Sequence, residues 1–198
     1  MVGSDPYNRR VGRHWSGLRA VFYLLLTVLV VAALAPLQIR RAPFVATPPD
    51  VVDRMLTLAR VGPDDVVYDL GCGDGRIVIA AALRYGARGV GVDIDPERIQ
   101  EAEENARQAG VSDRVTFRVQ DALETDVSEA TVVALYLLSA LNVQLRPILT
   151  YQLRPGARIV SHNFAMGEWE PDVVDVFESA DGRRRTLYLW RADGRIRP

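Results

Sequence analysis

Three glycines and three carboxylates stand where a folded chain could use them on a nucleoside. The apolar run 66–70 leads into Asp69-Leu70-Gly71-Cys72-Gly73-Asp74-Gly75. Glycines at these spacings let the backbone turn tightly and approach a ligand, beside the N-terminus of a helix starting at Arg76. The spacing is G-x-G-x-G. A dinucleotide fingerprint is G-x-G-x-x-G, so the third glycine comes one residue early. A diphosphate has no use for an acid just before the first glycine, whereas an amino-acid ammonium group pairs well with Asp69. The next apolar run ends in Val92-Asp93-Ile94-Asp95. A carboxylate there can accept two hydrogen bonds from a ribose diol. The third run ends at Gln120-Asp121, where an adenine amino group could donate. Taken singly, each acid reads as a helix cap or a solvated loop residue. In chain order at three successive strand ends, they form one site.

These residues need a scaffold that brings strand ends together. Short β-branched runs at 66–70, 89–93, 115–119, 131–137 and 158–162 alternate with helical stretches at 76–85, 96–109 and 142–153. A first helix runs from about Thr47, with a hydroxyl cap, proline in the first turn and Asp50 at the third position, to about Arg60. Asp95-Pro96 opens the helix whose Ile99, Ala102, Ala106 and Ala109 face inward, and Gly110 closes it. Runs at 173–177 and 186–192 flank a turn at Asp181-Gly182. Such alternation with apolar strands means a parallel sheet covered on both faces. The expected fold is α/β: a Rossmann-like, doubly wound, mostly parallel seven-stranded sheet with one antiparallel edge strand.

Composition excludes several functions. The chain has 198 residues, 24 basic and 25 acidic, with every basic residue an arginine. Residues 1–46 carry +5 and residues 47–198 carry −6. A net acidic domain is a poor partner for a nucleic-acid backbone. Cys72 is the one cysteine, so no intramolecular disulfide forms, and with only His14 and His162 beside it a Cys/His zinc site is not expected.

The segment 20–39, AVFYLLLTVLVVAALAPLQI, carries no charge. As a helix it would span roughly 30 Å, enough to cross a hydrocarbon core. Arg13, Arg19, Arg40 and Arg41 flank it, and Trp15 and Tyr23 suit an interface. A cleaved signal peptide is the rival reading. Ala33-Leu34-Ala35 resembles a cleavage site, but Pro36 directly after it would hinder the cut. The segment is therefore read as an uncleaved, single-pass anchor, with residues 1–46 forming basic segment, anchor and linker, and 47–198 the globular domain. Flanking charge favours an inside N-terminus, which would export the domain. A cytosolic cofactor would place it on the cytoplasmic side instead. The two indications conflict, and the cofactor outweighs a two-charge difference, so the expected location is the membrane, single-pass, with the domain on the cytoplasmic side.

YDLGCGDGR, GVGVDIDPERI and VQDAL resemble the three cofactor motifs of class I S-adenosylmethionine-dependent methyltransferases. The likeness spans about residues 51–192. APFVATPPDVVDRML, ATVVALYLLSALNVQLRP and PGARIVSHNFAMGEW further resemble a membrane-associated protein-lysine methyltransferase family. That family includes the enzymes modifying ATP synthase c-subunit and the adenine nucleotide translocase. The resemblance implies S-adenosyl-L-methionine as methyl donor and no metal. It implies that Gly71, Cys72, Gly73 and Gly75 line the methionine part, with Asp69 on its amine, Asp93 on the ribose and Asp121 on the adenine. It also implies a membrane protein presenting lysine as partner, while the net acidic charge of residues 47–198 is what argues for no nucleic-acid partner.

Methyl transfer from a sulfonium is an in-line displacement, so alignment and desolvation supply most of the rate. A lysine acceptor must first lose its proton, so the lip should hold a neutral amine. Candidates at the ends of the fourth and fifth strands are Tyr136, Asn142, His162, Asn163 and Glu168, with Trp169 as a wall. Packing alone would equally explain Tyr136 and Trp169, and a satisfied structural histidine would explain His162. No N-P-P-Y follows the fourth strand, which lowers amide and adenine amino groups as acceptors. The Arg183–Arg185 run reads as a solvated hairpin tip, with contact to anionic headgroups the lesser reading. A lipid or quinone methyltransferase, a non-catalytic nucleoside-binding membrane scaffold and a nicotinamide oxidoreductase are the alternatives.

Overall fold

The computed structural model describes residues 44–198, together with Tyr23. Apart from Tyr23, the anchor segment 20–39 lies outside the described residues. Among the described residues, no helix is long and apolar enough to cross a membrane.

Phe44–Pro198 forms one compact unit. Its elements run α1 (Pro49–Leu58), β1 (Val66–Leu70), α2 (Arg76–Tyr85), β2 (Arg88–Asp93), α3 (Pro96–Ala109), β3 (Val115–Val119), β4 (Val132–Leu135), α4 (Ser139–Gln152), β5 (Arg158–His162), β6 (Val173–Glu178) and β7 (Arg184–Arg191). The sheet order is β3-β2-β1-β4-β5-β7-β6. All pairs are parallel except β5 with β7 and β6 with β7. The antiparallel strand β7 sits between β5 and β6, because the tight 179–183 turn folds it back along β6. Chain order reverses between β1 and β4, and in open sheets that reversal opens a crevice at the strands' carboxyl ends.

Burial explains why these runs are strands. Every residue of β1 and of β4 is buried, as expected for central strands covered on both faces. The main core joins Val51, Met55 and Leu56 of α1 and Ile77, Val78 and Ala81 of α2 to Val67, Ala134 and Val160 of the sheet. Leu141, Leu145 and Leu149 of α4 are buried separately from that cluster. At the edge opposite the crevice, Asp65 accepts from Thr131 Oγ1 (2.7 Å) and Gly62 N (2.8 Å) and pairs with Arg158. That knot ties the starts of β1, β4 and β5 together.

Local signals hold at most boundaries. Asp95 accepts from Glu97 N at 2.9 Å as the cap of α3, and Gly110 closes that helix in a left-handed conformation. The start of α1 differs. Its cap is Pro48, with no side-chain hydrogen bond, and Pro49 follows in the first turn. The Thr47 carbonyl is instead held by Arg76 of α2. Asp50 accepts from Ser179 Oγ and Ala180 N, both at 2.8 Å, and so pins the β6–β7 turn to α1. The hairpin tip is only partly solvated. Arg183 is exposed, whereas the Arg185 side chain is 11% exposed and donates to Asp181 at 2.7 Å. Strand alternation turns Arg185 inward, against the reading of all three arginines as a solvated tip.

Candidate active site

The glycine loop between β1 and α2 is fastened on several sides. Gly71 N and Cys72 N donate to the Val92 carbonyl at 2.8 and 2.9 Å, and Asn105 Nδ2 donates to the Asp74 carbonyl at 3.0 Å. Gly73 N donates to Asp93 Oδ2 at 3.0 Å. The acid of β2 thus fixes the loop of β1 directly. Gly75 caps α2 with φ 78°, and a Cβ there would lie 2.7 Å from the Phe117 ring. Gly73 has φ 51°, and its Cβ would lie 2.2 Å from the Phe44 ring. Neither position admits a side chain without displacing its neighbour. Cys72 is buried beneath the loop, close to Gly91 of β2, and burial pushes its thiol far above the ordinary range. It is no nucleophile.

The three acids have distinct environments. Asp69 is buried, and burial followed by the charges of Asp93 and Asp74 pushes its carboxyl up to about 8. Among the described residues no ion pair with Asp69 is present, whereas Asp74 is paired with Arg76 at 2.5 Å. A buried carboxyl lacking a counter-cation fits a ligand's ammonium group. Asp93 accepts from Gly73 N and Asp95 N with one oxygen each, both at 3.0 Å, leaving lone pairs on both oxygens for hydroxyls. Asp121 accepts from Leu123 N at 2.9 Å, capping a short 3₁₀ turn at Ala122–Glu124. It lies just past β3, held by the Gln120 N bond to the Asp93 carbonyl (2.9 Å). The glycine loop, Asp93 and Asp121 therefore line one edge of the sheet in order. The small residues and the uncompensated Asp69 fit S-adenosylmethionine. Among the described residues, no group of three His, Cys, Asp or Glu side chains could hold a metal ion.

The acceptor candidates divide. The Tyr136 and His162 rings meet at 4.0 Å between centroids, with Phe164 next to Tyr136 at 6.2 Å. The strand expected over 131–137 stops at Leu135, so Tyr136 and Leu137 belong to the loop at the crevice. Leu137 packs over Gly71, where a Cβ would lie 2.7 Å from its Cδ2. His162 is fully buried, and neither ring nitrogen has a hydrogen-bond partner. Asn142 sits inside α4, which begins at Ser139, and donates to Ser161 Oγ (3.2 Å) and the Phe164 carbonyl (3.0 Å). Its Oδ1 is buried without a partner. Asn163 has a left-handed backbone and exchanges hydrogen bonds with Thr186, N to carbonyl at 2.7 Å and Thr186 N to Oδ1 at 3.0 Å. Its role is to close the β5–β7 ladder. Glu168 is exposed. The Trp169 ring meets Trp190 at 5.9 Å and Arg197 at 4.5 Å, and its carbonyl accepts from Trp190 Nε1.

Burial, with Arg185 adding, holds the His162 imidazole down at about 4. Its folded value lies below the ordinary 6.5, so its stabilising contribution is complete above pH 6.5 and lost as pH falls towards 4. His162→Leu is expected to remove roughly 1–3 kcal/mol of the acid-induced loss of stability near pH 4.5, read from urea melts at pH 7.5 and 4.5. An unchanged pH dependence would contradict a neutral, buried imidazole.

Sequence reasoning did not single out Phe44, Arg98, Arg76 or Leu137. Arg76 Nη1 donates to the Thr47 carbonyl at 2.8 Å while its Nε donates to Asp74 at 2.9 Å. The Arg98 guanidinium lies 4.9 Å from the Phe44 ring centroid. The opposite charges two residues apart at the start of α2 were a readable signal. Arg98 is one of many helix charges, and nothing in the sequence distinguishes it.

Known proteins share this sequence and this fold. Residues 69–173 match the model of the ANTKMT methyltransferase domain. A protein-lysine N-methyltransferase of Saccharolobus islandicus is 47% identical over 150 residues, covering 75% of this chain and 92% of that protein. The ATP synthase c-subunit lysine N-methyltransferase of Xenopus laevis is 31% identical over 158 residues, covering 80% of this chain and 68% of that protein. A crystal structure described as an RNA methyltransferase from Salinibacter ruber, in complex with S-adenosyl-L-homocysteine, superposes with a TM-score of 0.72. It is 54% identical and covers 77% of this chain and 97% of that one. The chain belongs to the ANTKMT methyltransferase domain family and is an S-adenosylmethionine-dependent methyltransferase.

Proposed function

We propose that the protein is a membrane-anchored protein-lysine N-methyltransferase acting on a membrane protein from the cytoplasmic side. The observation that carries the lysine assignment is the alignment of two lysine methyltransferases over 75% and 80% of the chain. The anchor reading rests on the uncharged segment 20–39.

The cofactor supplies an electrophilic methyl group on a sulfonium. In this reading Asp69 holds the amine of that cofactor, Asp93 its ribose and Asp121 its adenine, with Gly71, Gly73 and Gly75 beneath the methionine part. Tyr136 and Phe164, with the buried His162 ring behind Tyr136, form an uncharged aromatic lip, and a lip without charge favours the acceptor amine in its neutral form. The lysine nitrogen, having released a proton to solvent, attacks the methyl carbon as the carbon–sulfur bond breaks, leaving S-adenosylhomocysteine. The methylated side chain leaves as its ammonium form, so one proton reaches solvent for each methyl group transferred. The chain's contribution is alignment and exclusion of water.

An RNA acceptor is the second reading, favoured by the description of the Salinibacter ruber structure. The −6 charge of residues 47–198 opposes a phosphate-binding face. The test is transfer of tritiated methyl from labelled cofactor to salt-washed membranes of a strain lacking the protein, followed by separation into protein, organic-solvent and RNA fractions. Methyl-lysine in a protein hydrolysate is expected. With no lysine in its sequence, the enzyme cannot label itself in that way. Label in the solvent fraction would overturn the lysine assignment in favour of a lipid or quinone, and label in the RNA would favour the second reading. Binding without any label would leave the scaffold alternative.

A further inference from the structure

Residues 44–47 cross the glycine loop and are fastened to it at two points. At one end the Phe44 ring lies against Gly73, so closely that a Cβ on that glycine would meet three ring carbons at 2.2, 2.6 and 3.4 Å. The Arg98 guanidinium of α3, which also pairs with Glu101 at 2.5 Å, lies 4.9 Å from the ring centroid. At the other end the Thr47 carbonyl accepts from Arg76 Nη1 at 2.8 Å, and Arg76 is itself clamped on Asp74 of the loop. Thr47 is buried, whereas Phe44 is 50% exposed and Val45 57% exposed. One end of the strap is therefore fixed, and the other rests by a single aromatic ring on the loop. Gly73 is also the residue whose N–H is held by Asp93. The ring thus rests directly above the link between the methionine-lining loop and the ribose acid.

We propose that residues 44–47 form a strap that closes over the bound cofactor, with Phe44 as its cofactor-covering side chain, Arg98 as its latch and Arg76 as its hinge. The ring shields the methyl donor from water and delays release of the thioether product. Half-exposure of a large aromatic costs little when it gains a ligand face on binding. Arg98 contributes by keeping the ring over the loop, and such exposed cation–ring contacts are individually weak. The proposal rests on the placement of the cofactor over Gly71–Gly75.

The test is binding and release of S-adenosylhomocysteine by the full-length protein, with no acceptor present. Phe44→Ala is expected to weaken affinity about tenfold, chiefly through faster dissociation, and Arg98→Ala about threefold. Phe44→Trp should retain affinity within about twofold. The double variant Phe44→Ala/Arg98→Ala should bind no more weakly than Phe44→Ala alone, because Arg98 acts through the ring. Melting temperature without cofactor should move little in each, since Phe44 is half-exposed. Should Phe44→Ala unfold, Phe44→Leu and Arg98→Ala carry the same comparison. Additive losses in the double variant would overturn the latch, and wild-type dissociation in Phe44→Ala would overturn the strap. Asp93→Ala serves as the control. If it loses binding while Phe44→Ala does not, only the strap fails. If neither variant changes binding, the placement of the cofactor fails with it.

Discussion

Replacing Asp93 by alanine is expected to weaken S-adenosylhomocysteine binding, and to lower kcat/KM for the methyl donor, by about 100-fold. Two losses combine. One is the pair of ribose hydroxyls that a carboxylate at the end of β2 can accept. The other is the anchor of the glycine loop, since Asp93 Oδ2 holds Gly73 N at 3.0 Å. A charge-assisted hydrogen bond contributes roughly 1.5–3 kcal/mol, so the net loss of about one such bond already accounts for a change of about 100-fold. Asp93→Asn should fall between wild type and alanine, since its amide oxygen can still accept from Gly73. The carboxylate sits at the crevice and outside the main core, so melting temperature should fall only slightly. Titration calorimetry reads the effect, and an alanine variant binding within threefold of wild type would remove Asp93 from the ribose site.

The second large effect concerns Asp69. Its carboxyl is pushed up to about 8 by burial and by the charges of Asp93 and Asp74. In the free protein it is therefore mostly protonated at pH 7. Arrival of the cofactor's ammonium group supplies the missing counter-charge and ionises it. Binding at pH 7 should release about one proton, visible as a dependence of binding heat on the ionisation enthalpy of the buffer. The sign for stability follows from the same shift. A folded value above the ordinary 3.8 gives a contribution complete below pH 3.8 and lost as pH rises through about 8. The cofactor-free protein should thus lose stability between pH 6 and 8, and Asp69→Asn should flatten that loss and raise the melting temperature by a few degrees at pH 8. The same variant should bind the cofactor at least tenfold more weakly at pH 7, with no proton release. Stability and binding then move in opposite directions at one residue. A variant that loses both would mark Asp69 as merely structural.

Much of this arrangement was legible in the sequence because it is written locally. The strands at 66–70, 115–119 and 158–162 fall where the apolar runs do, and Asp95 and Gly110 bound α3 by side-chain and backbone preferences that need no partner. The order of Asp69, Asp93 and Asp121 along the sheet edge follows from consecutive strands in a parallel sheet. What was not legible depends on distant partners. Thr47 lost its capping role because Pro48 occupies the cap position and Arg76 claims the Thr47 carbonyl. The setting of Trp169 depends on Trp190 and Arg197, 21 and 28 positions further on, which are the residues its ring meets. Arg185 turned inward because of its register on β7, which no local pattern sets. The ring contact between Phe44 and Gly73 joins residues 29 positions apart, and the sequence offered Phe44 only as part of a family-like stretch, with no contact assigned to it.

The most direct test of the cofactor site is a crystal structure of the full-length protein with S-adenosylhomocysteine bound. The ribose hydroxyls are expected on Asp93, the amino group on Asp69, the adenine beside Asp121, and the Phe44 ring over the methionine end. A nucleoside lying elsewhere, or an amino group more than a hydrogen bond's length from Asp69, would contradict that placement.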